Sequence, residues 1–220
     1  MKIISKLPCN RICNDLATWP NTTFAIVSAD FGGTRVTSEG VLIGSSLVLT
    51  LAGNLFQHGH KTNNISVGVS WDGISEDDIS EANCWYVSEL HQLSSEYYRE
   101  DFAIIGIKKD FSEKYGYLGL SSPSIFNKGE YFVYAFDKNK KSSVIPIQNV
   151  KIDKNHLIYD LIPTHKPIVG AAIMHKINRE DYNLIGMHLG DNQKHNYGLF
   201  ISEEQIAQVE NFRESFRHNL

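Results

Sequence analysis

Short runs of apolar, β-branched and aromatic residues alternate with turn-forming clusters along nearly the whole chain, and only its last stretch breaks that rhythm. Six such runs fall in the first half, at 23–27, 41–43, 47–50, 65–69, 85–87 and 102–105, and six in the second, at 131–136, 144–147, 156–161, 171–177, 183–187 and 197–201. Gly32-Gly33, Gly44-Ser45 and Asn63-Asn64 mark turns between them, so each run is predicted as a strand. From Ser202 the period changes. Ile206, Val209, Phe212 or Arg213, and Phe216 recur at helical spacing, behind Ser202 as an N-cap and Gln205 as its capping-box partner. Glu203 and Glu204 suit the positive end of the helix dipole. The pattern predicts an all-β chain closed by one C-terminal α-helix.

Length and composition narrow this. With 220 residues, 42% of them hydrophobic, the chain suits one all-β domain of barrel type. A net charge of −4 with no long basic run predicts no grip on nucleic acid or anionic lipid. The cluster Lys138-Asn139-Lys140-Lys141 reads as a solvated turn. No stretch approaches the roughly 18 apolar residues of a membrane span. Lys6 and Pro8 interrupt the N-terminal apolar patch, so no secretory signal is expected. The three cysteines, Cys9, Cys13 and Cys84, cannot all pair, which predicts free thiols in a reducing, cytoplasmic setting.

Three segments carry a family resemblance. Residues 40–54, Gly-Val-Leu-Ile-Gly-Ser-Ser-Leu-Val-Leu-Thr-Leu-Ala-Gly-Asn, resemble the segment of trypsin-like serine proteases that ends in the catalytic histidine, and Gly53 stands at the histidine position. Residues 101–107, Asp-Phe-Ala-Ile-Ile-Gly-Ile, resemble the strand that opens with the catalytic aspartate, here Asp101. Residues 164–173, Thr-His-Lys-Pro-Ile-Val-Gly-Ala-Ala-Ile, resemble the nucleophile loop of the glutamyl-endopeptidase branch. Thr164, Gly170 and Ile173 fit that loop, while Val169 stands where the serine belongs, Pro167 where the first glycine belongs and Ala172 where the proline belongs. Residues 131–137 and 184–188 resemble two further strands of the family in the right order.

The resemblance implies a double six-stranded β-barrel. An N-terminal strap would occupy 1–20, the first barrel 21–115, a connector with Gly116, Gly119 and Pro123 116–127, the second barrel 128–201, and a helix packed on the second barrel 202–217. It also implies a triad of which Asp101 alone is retained. Valine offers no lone pair for acyl transfer and glycine no general base. Proline has no N–H, so Pro167 removes one of the two oxyanion donors, a loss of about 10² to 10³ in rate by itself. The expectation is a catalytically inactive protease homologue, without cofactor, that binds or scaffolds a protein or peptide partner, alone or as a structural subunit of an intracellular assembly.

Other candidates accompany that reading. In glutamyl endopeptidases the equivalents of Thr164 and His188 hold the substrate carboxylate, so both are candidate ligand-binding residues, against the alternative that they stay for fold reasons. His58 and His60 form an H-x-H pair that a metal-assisted hydrolase would use, although with no acidic or cysteine partner nearby in sequence a solvated loop is the favoured reading. Cys9-x-x-x-Cys13 lacks a second ligand pair.

Overall fold

A computed structural model describes residues 21–57, 60–69, 75–88, 101–122, 130–136, 142–161, 169–178, 181–191 and 194–217. The predicted positions His58, Thr164, Pro167, Cys9, Cys13 and Lys138 to Lys141 lie outside them.

Strand β1 (Phe24–Phe31) turns at Gly32-Gly33 into β2 (Thr34–Gly44). Both glycines have positive φ, +67° and +99°, the backbone a two-residue hairpin turn of type I′ requires, and Asp30 Oδ1 accepts the Gly33 N–H at 2.7 Å. Then follow β3 (Leu47–Thr50), a 3-10 turn at Ala52–Asn54, and a small side hairpin of β4 (Phe56–Gln57) and β5 (His60–Lys61). Strands β6 (Asn64–Val69), β7 (Ile79–Val87) and β8 (Ala103–Ile107) complete a closed antiparallel barrel in the order β1-β2-β3-β8-β7-β6.

Helix α1 (Ser112–Tyr115) and β9 (Gly119–Leu120) lead to the second barrel. Its strands are β10 (Glu130–Phe136), β11 (Ser142–Asp153), β12 (His156–Leu161), β13 (Ala172–Lys176), β14 (Tyr182–Asp191) and β15 (Asn196–Phe200). The order β13-β10-β11-β12-β15-β14 closes through β13–β14, with β9 as a parallel seventh strand on β14. The structure is therefore two closed six-stranded antiparallel β-barrels with one C-terminal helix.

The connector is not bare turn. It carries the β9 pairing and follows directly on α1, elements too short to leave a period in the sequence. Strands β2, β7 and β11 run longer than their apolar runs because their outer arms, such as Thr34 to Ser38, are held by the ladder and not by burial.

Burial explains why some strands read as unbroken apolar runs. Ala25, Val27, Leu42, Val48, Ala103 and Ile105 fill the first barrel, and Val133, Ile145, Leu157, Tyr159 and Ile173 fill the second. A third cluster lies between them, with Phe24, Val41, Leu49 and Ile104 from the first barrel against Tyr134, Met174, Leu184 and Met187 from the second. Strands β2, β3, β8 and β13 face a barrel interior on one side and this seam on the other, so both sides are largely apolar. Phe24 and Tyr134 stack across the seam with ring centroids 3.7 Å apart.

The C-terminal helix, α2 (Glu203–Arg217), begins with the predicted capping box: Ser202 N–H donates to Gln205 Oε1 at 2.9 Å and Gln205 N–H to Ser202 Oγ at 3.3 Å. Its docking differs from the expectation of packing on the second barrel. Arg213 Nη2 donates to the Ile43 carbonyl on β2, and Phe216 lies over Gly106 on β8, both in the first barrel. Val209 and Phe216 join the seam cluster, so α2 closes one end of the inter-barrel core. Among the described residues no helix is long and apolar enough to cross a membrane.

Candidate functional site

The register of β3 on β8 builds the first half of the site. Thr50 pairs with Ala103, so two residues farther along each strand, the 3-10 turn comes level with Asp101. Gly53 in that turn donates its N–H to Asp101 Oδ1 at 2.8 Å. Asp101 is 7% exposed. A Cβ placed on Gly53 would stand 3.8 Å from Oδ1 and 4.0 Å from Oδ2 of Asp101, the described atoms that it would meet beyond its chain neighbours. A side chain at position 53 would thus point at the carboxylate, which is the placement a base oriented by an acid requires. Asn54 Nδ2 donates to Thr50 Oγ1 at 2.9 Å, and Gln57 Nε2 to the Gly53 carbonyl at 3.2 Å, which ties the turn down on both sides.

The second half comes from the other barrel. Val169 and Gly170 form a turn just before β13. Gly170 has φ +97°, which favours glycine, and its N–H donates to the His188 carbonyl at 2.8 Å. The Val169 side chain is 49% exposed, so it is presented outward and not packed. The turn rests on the first barrel: a Cβ at Gly170 would meet the Glu39 carbonyl at 3.4 Å, and that carbonyl also accepts Thr50 Oγ1 at 2.8 Å. Glu39 on β2 is itself buried. One chain of contacts therefore runs from Asp101 through Gly53, Asn54, Thr50 and Glu39 to Gly170, across the barrels.

His188 lies on β14, which pairs with β13 directly behind the turn. Its Nδ1 is 2.5 Å from the Tyr159 hydroxyl, and only 3% of the residue is exposed. Burial pushes the imidazole down to about 4, against a smaller opposing effect of Asp191. Burial pushes the Tyr159 phenol far up, so Tyr159 keeps its proton. The hydroxyl and Nδ1 share one hydrogen bond whose donor is set by the imidazole tautomer. Burial disfavours a charged His188 at neutral pH and holds the ring neutral at pH 7. Tyr159 and Glu39 were not singled out from the sequence; neither lies in a motif, and only the folded registers bring them to the site.

The remaining candidates are placed elsewhere. His60 is exposed on β5 in the side hairpin. Among the described residues no group of three or more His, Cys, Asp or Glu is placed to hold a metal. Cys84 is a free thiol whose pKa burial raises, lodged against the docking socket of α2 beside Gly106.

No protein-family model and no curated protein matches the sequence. Solved structures do match its fold. A Glu endopeptidase in complex with MPD aligns with a TM-score of 0.70 at 16% identity, over 92% of this chain and 95% of that one. The thermostable serine protease AL20 from an extremophilic microorganism aligns with a TM-score of 0.66 at 13% identity, over 88% and 97%. The HL collagenase aligns at 0.64 with 14% identity, over 87% and 93%. At such identities the likeness concerns architecture, and on it the chain has the double-barrel fold of the trypsin-like serine proteases.

Proposed function

We propose that this protein is a catalytically inactive homologue of the trypsin-like serine proteases that acts by binding a protein or peptide partner. The observation that carries the reading is Gly53: a side chain there would face a buried carboxylate, and the residue supplies none. The base is missing at the place the acid serves. Val169, in the turn that comes to the same inter-barrel contacts, presents methyl groups where a nucleophile would need a lone pair. Pro167 contributes no N–H to an oxyanion hole. Loss of a nucleophile or base costs on the order of 10⁶ in kcat, and the remaining members of such a unit do not compensate.

The binding role rests on the residues that the family resemblance marks for a substrate carboxylate. Thr164 through its hydroxyl and His188 as a neutral imidazole are the proposed contacts for an acidic side chain of an extended peptide. Because His188 titrates near 4, affinity should not change between pH 6 and pH 8. A fluorophosphonate probe and a glutamyl ester substrate test the inactive reading together. No labelling and no turnover above the buffer rate is the expected result; stoichiometric labelling of a serine near Val169 overturns it.

A further inference from the structure

We propose that the site at His188 selects an uncharged hydrogen-bonding side chain, the carboxamide of glutamine or asparagine, ahead of a carboxylate. The inference rests on the ligand-binding role given to His188 above and sharpens what that site takes. The geometry that carries it is the pair formed by His188 and Tyr159. Tyr159 on β12 is fully buried, His188 on β14 is 3% exposed, and the phenol oxygen lies 2.5 Å from Nδ1. The other ring nitrogen, Nε2, bonds to no described residue and is not among the sealed-off side-chain atoms that lack a partner. It is the edge of the ring that a ligand can meet.

Tyr159 decides what the ligand meets there. Its hydroxyl has Nδ1 as its sole hydrogen-bond partner among the described residues. If it accepted from an Nδ1–H, its own hydrogen would be buried with no acceptor, at the full desolvation cost of that group. The hydroxyl therefore donates to Nδ1, and the ring takes the tautomer that carries its hydrogen on Nε2. Tyr159 is in this sense a positioning residue.

An N–H donor alone would take carboxylate and carboxamide oxygens alike, and charge separates them. Burial around the ring works against any ion, and among the described residues the charge felt at the imidazole is the negative one of Asp191. A ligand carboxylate on Nε2 would lose hydration without gaining a cation, and would sit in that same negative field. A carboxamide presents a similar oxygen to the same N–H and carries no charge. An apolar side chain of equal length would leave the N–H without an acceptor.

The whole chain, with ¹⁵N-labelled histidine, is titrated at pH 7 with N-acetyl-glutamine N-methylamide and with its glutamate and methionine counterparts, while the His188 nitrogens are followed by NMR. The free protein should show its imidazole hydrogen on Nε2. The glutamine probe should shift that signal saturably, the ionised glutamate probe should bind about tenfold or more weakly, and the methionine probe should not bind. In Tyr159→Phe, which keeps the ring and removes the hydroxyl, the signals should move toward a mixture of tautomers and the glutamine probe should lose affinity. A hydroxyl that served packing alone would leave the tautomer unchanged. The three wild-type titrations decide the matter by themselves if that variant fails to fold. Glutamate binding as tight as glutamine or tighter, or a hydrogen found on Nδ1, overturns the proposal and leaves the acidic-side-chain reading standing. No saturable shift with any probe defeats the site and both readings of what it binds; the absence of turnover is decided separately, by the fluorophosphonate probe.

Discussion

His188 keeps its ring against Tyr159 with 3% of its surface exposed, so protonating it places a charge where water cannot solvate it. Its folded pKa of about 4 lies below the ordinary 6.5. Between those values the unfolded chain binds a proton that the folded chain does not, so the stability present above pH 6.5 is lost as pH falls toward 4. The loss attributable to this residue is about 3 kcal/mol. Urea unfolding of the wild type and His188→Gln across that window checks it; equal slopes in the two proteins would show that other groups carry the acid lability. A second residue-scale outcome concerns restoration. Position 53 accepts a side chain aimed at Asp101, so Gly53→His with Val169→Ser should fold, yet without Pro167→Gly it should cleave a glutamyl ester no faster than background. Turnover by the double variant well above background would mean that the loop supplies its oxyanion donors some other way. The Gly53 and Asp101 juxtaposition was legible in the sequence, because Gly53 lies near the end of one strand motif and Asp101 opens another, at positions that the family resemblance pairs. The neutral state of His188 was not, because its cause is burial, which arises only when β14 is folded into the second barrel.

Helix α2 separates what local sequence encodes from what packing adds. Its start was readable, since Ser202 and Gln205 are four positions of one turn and satisfy each other. Ser202→Ala should therefore cost about 1 kcal/mol, a value within reach of thermal unfolding. Its docking face was not readable, because the socket is a glycine. A Cβ on Gly106 would stand 2.7 Å from the Phe216 ring and 3.0 Å from Cys84 Sγ, so the ring is seated against the bare backbone of β8. In a motif of alternating apolar residues that glycine looks like a weak strand position, and only the folded helix gives it a role. Phe216→Ala should destabilise by about 3 to 5 kcal/mol, and Gly106→Val should destabilise through overpacking by roughly 1 to 3 kcal/mol. If Gly106→Val left the melting temperature unchanged, the ring would not be seated as described. The connector gives the same lesson on a smaller scale, since two residues of β9 pair with β14 and leave no periodic signal.

The molecule as a whole is held by a core that belongs to neither barrel alone. Each barrel has its own interior, but Phe24, Val41, Leu49 and Ile104 meet Tyr134, Met174, Leu184 and Met187 in one seam, and Val209 and Phe216 of α2 close it. Opening the seam exposes the second faces of β2, β3, β8 and β13, strands with no polar side to turn to water. The barrels should therefore unfold together, in one calorimetric transition whose van't Hoff and measured enthalpies agree. Tyr134→Ala is the sharpest probe, because its ring stacks on Phe24 across the seam at 3.7 Å while its backbone stays in β10. Loss of that ring should cost about 3 to 5 kcal/mol. Hydrogen exchange should then quicken in β1 and β3 of the first barrel as much as in β10 and β13 of the second, since slow amides in a cooperative unit exchange through global opening. Faster exchange confined to the second barrel, or two resolved melting transitions in the wild type, would show that the seam is a contact between independent units, and the Gly53 to Gly170 chain of contacts would then lack a rigid frame.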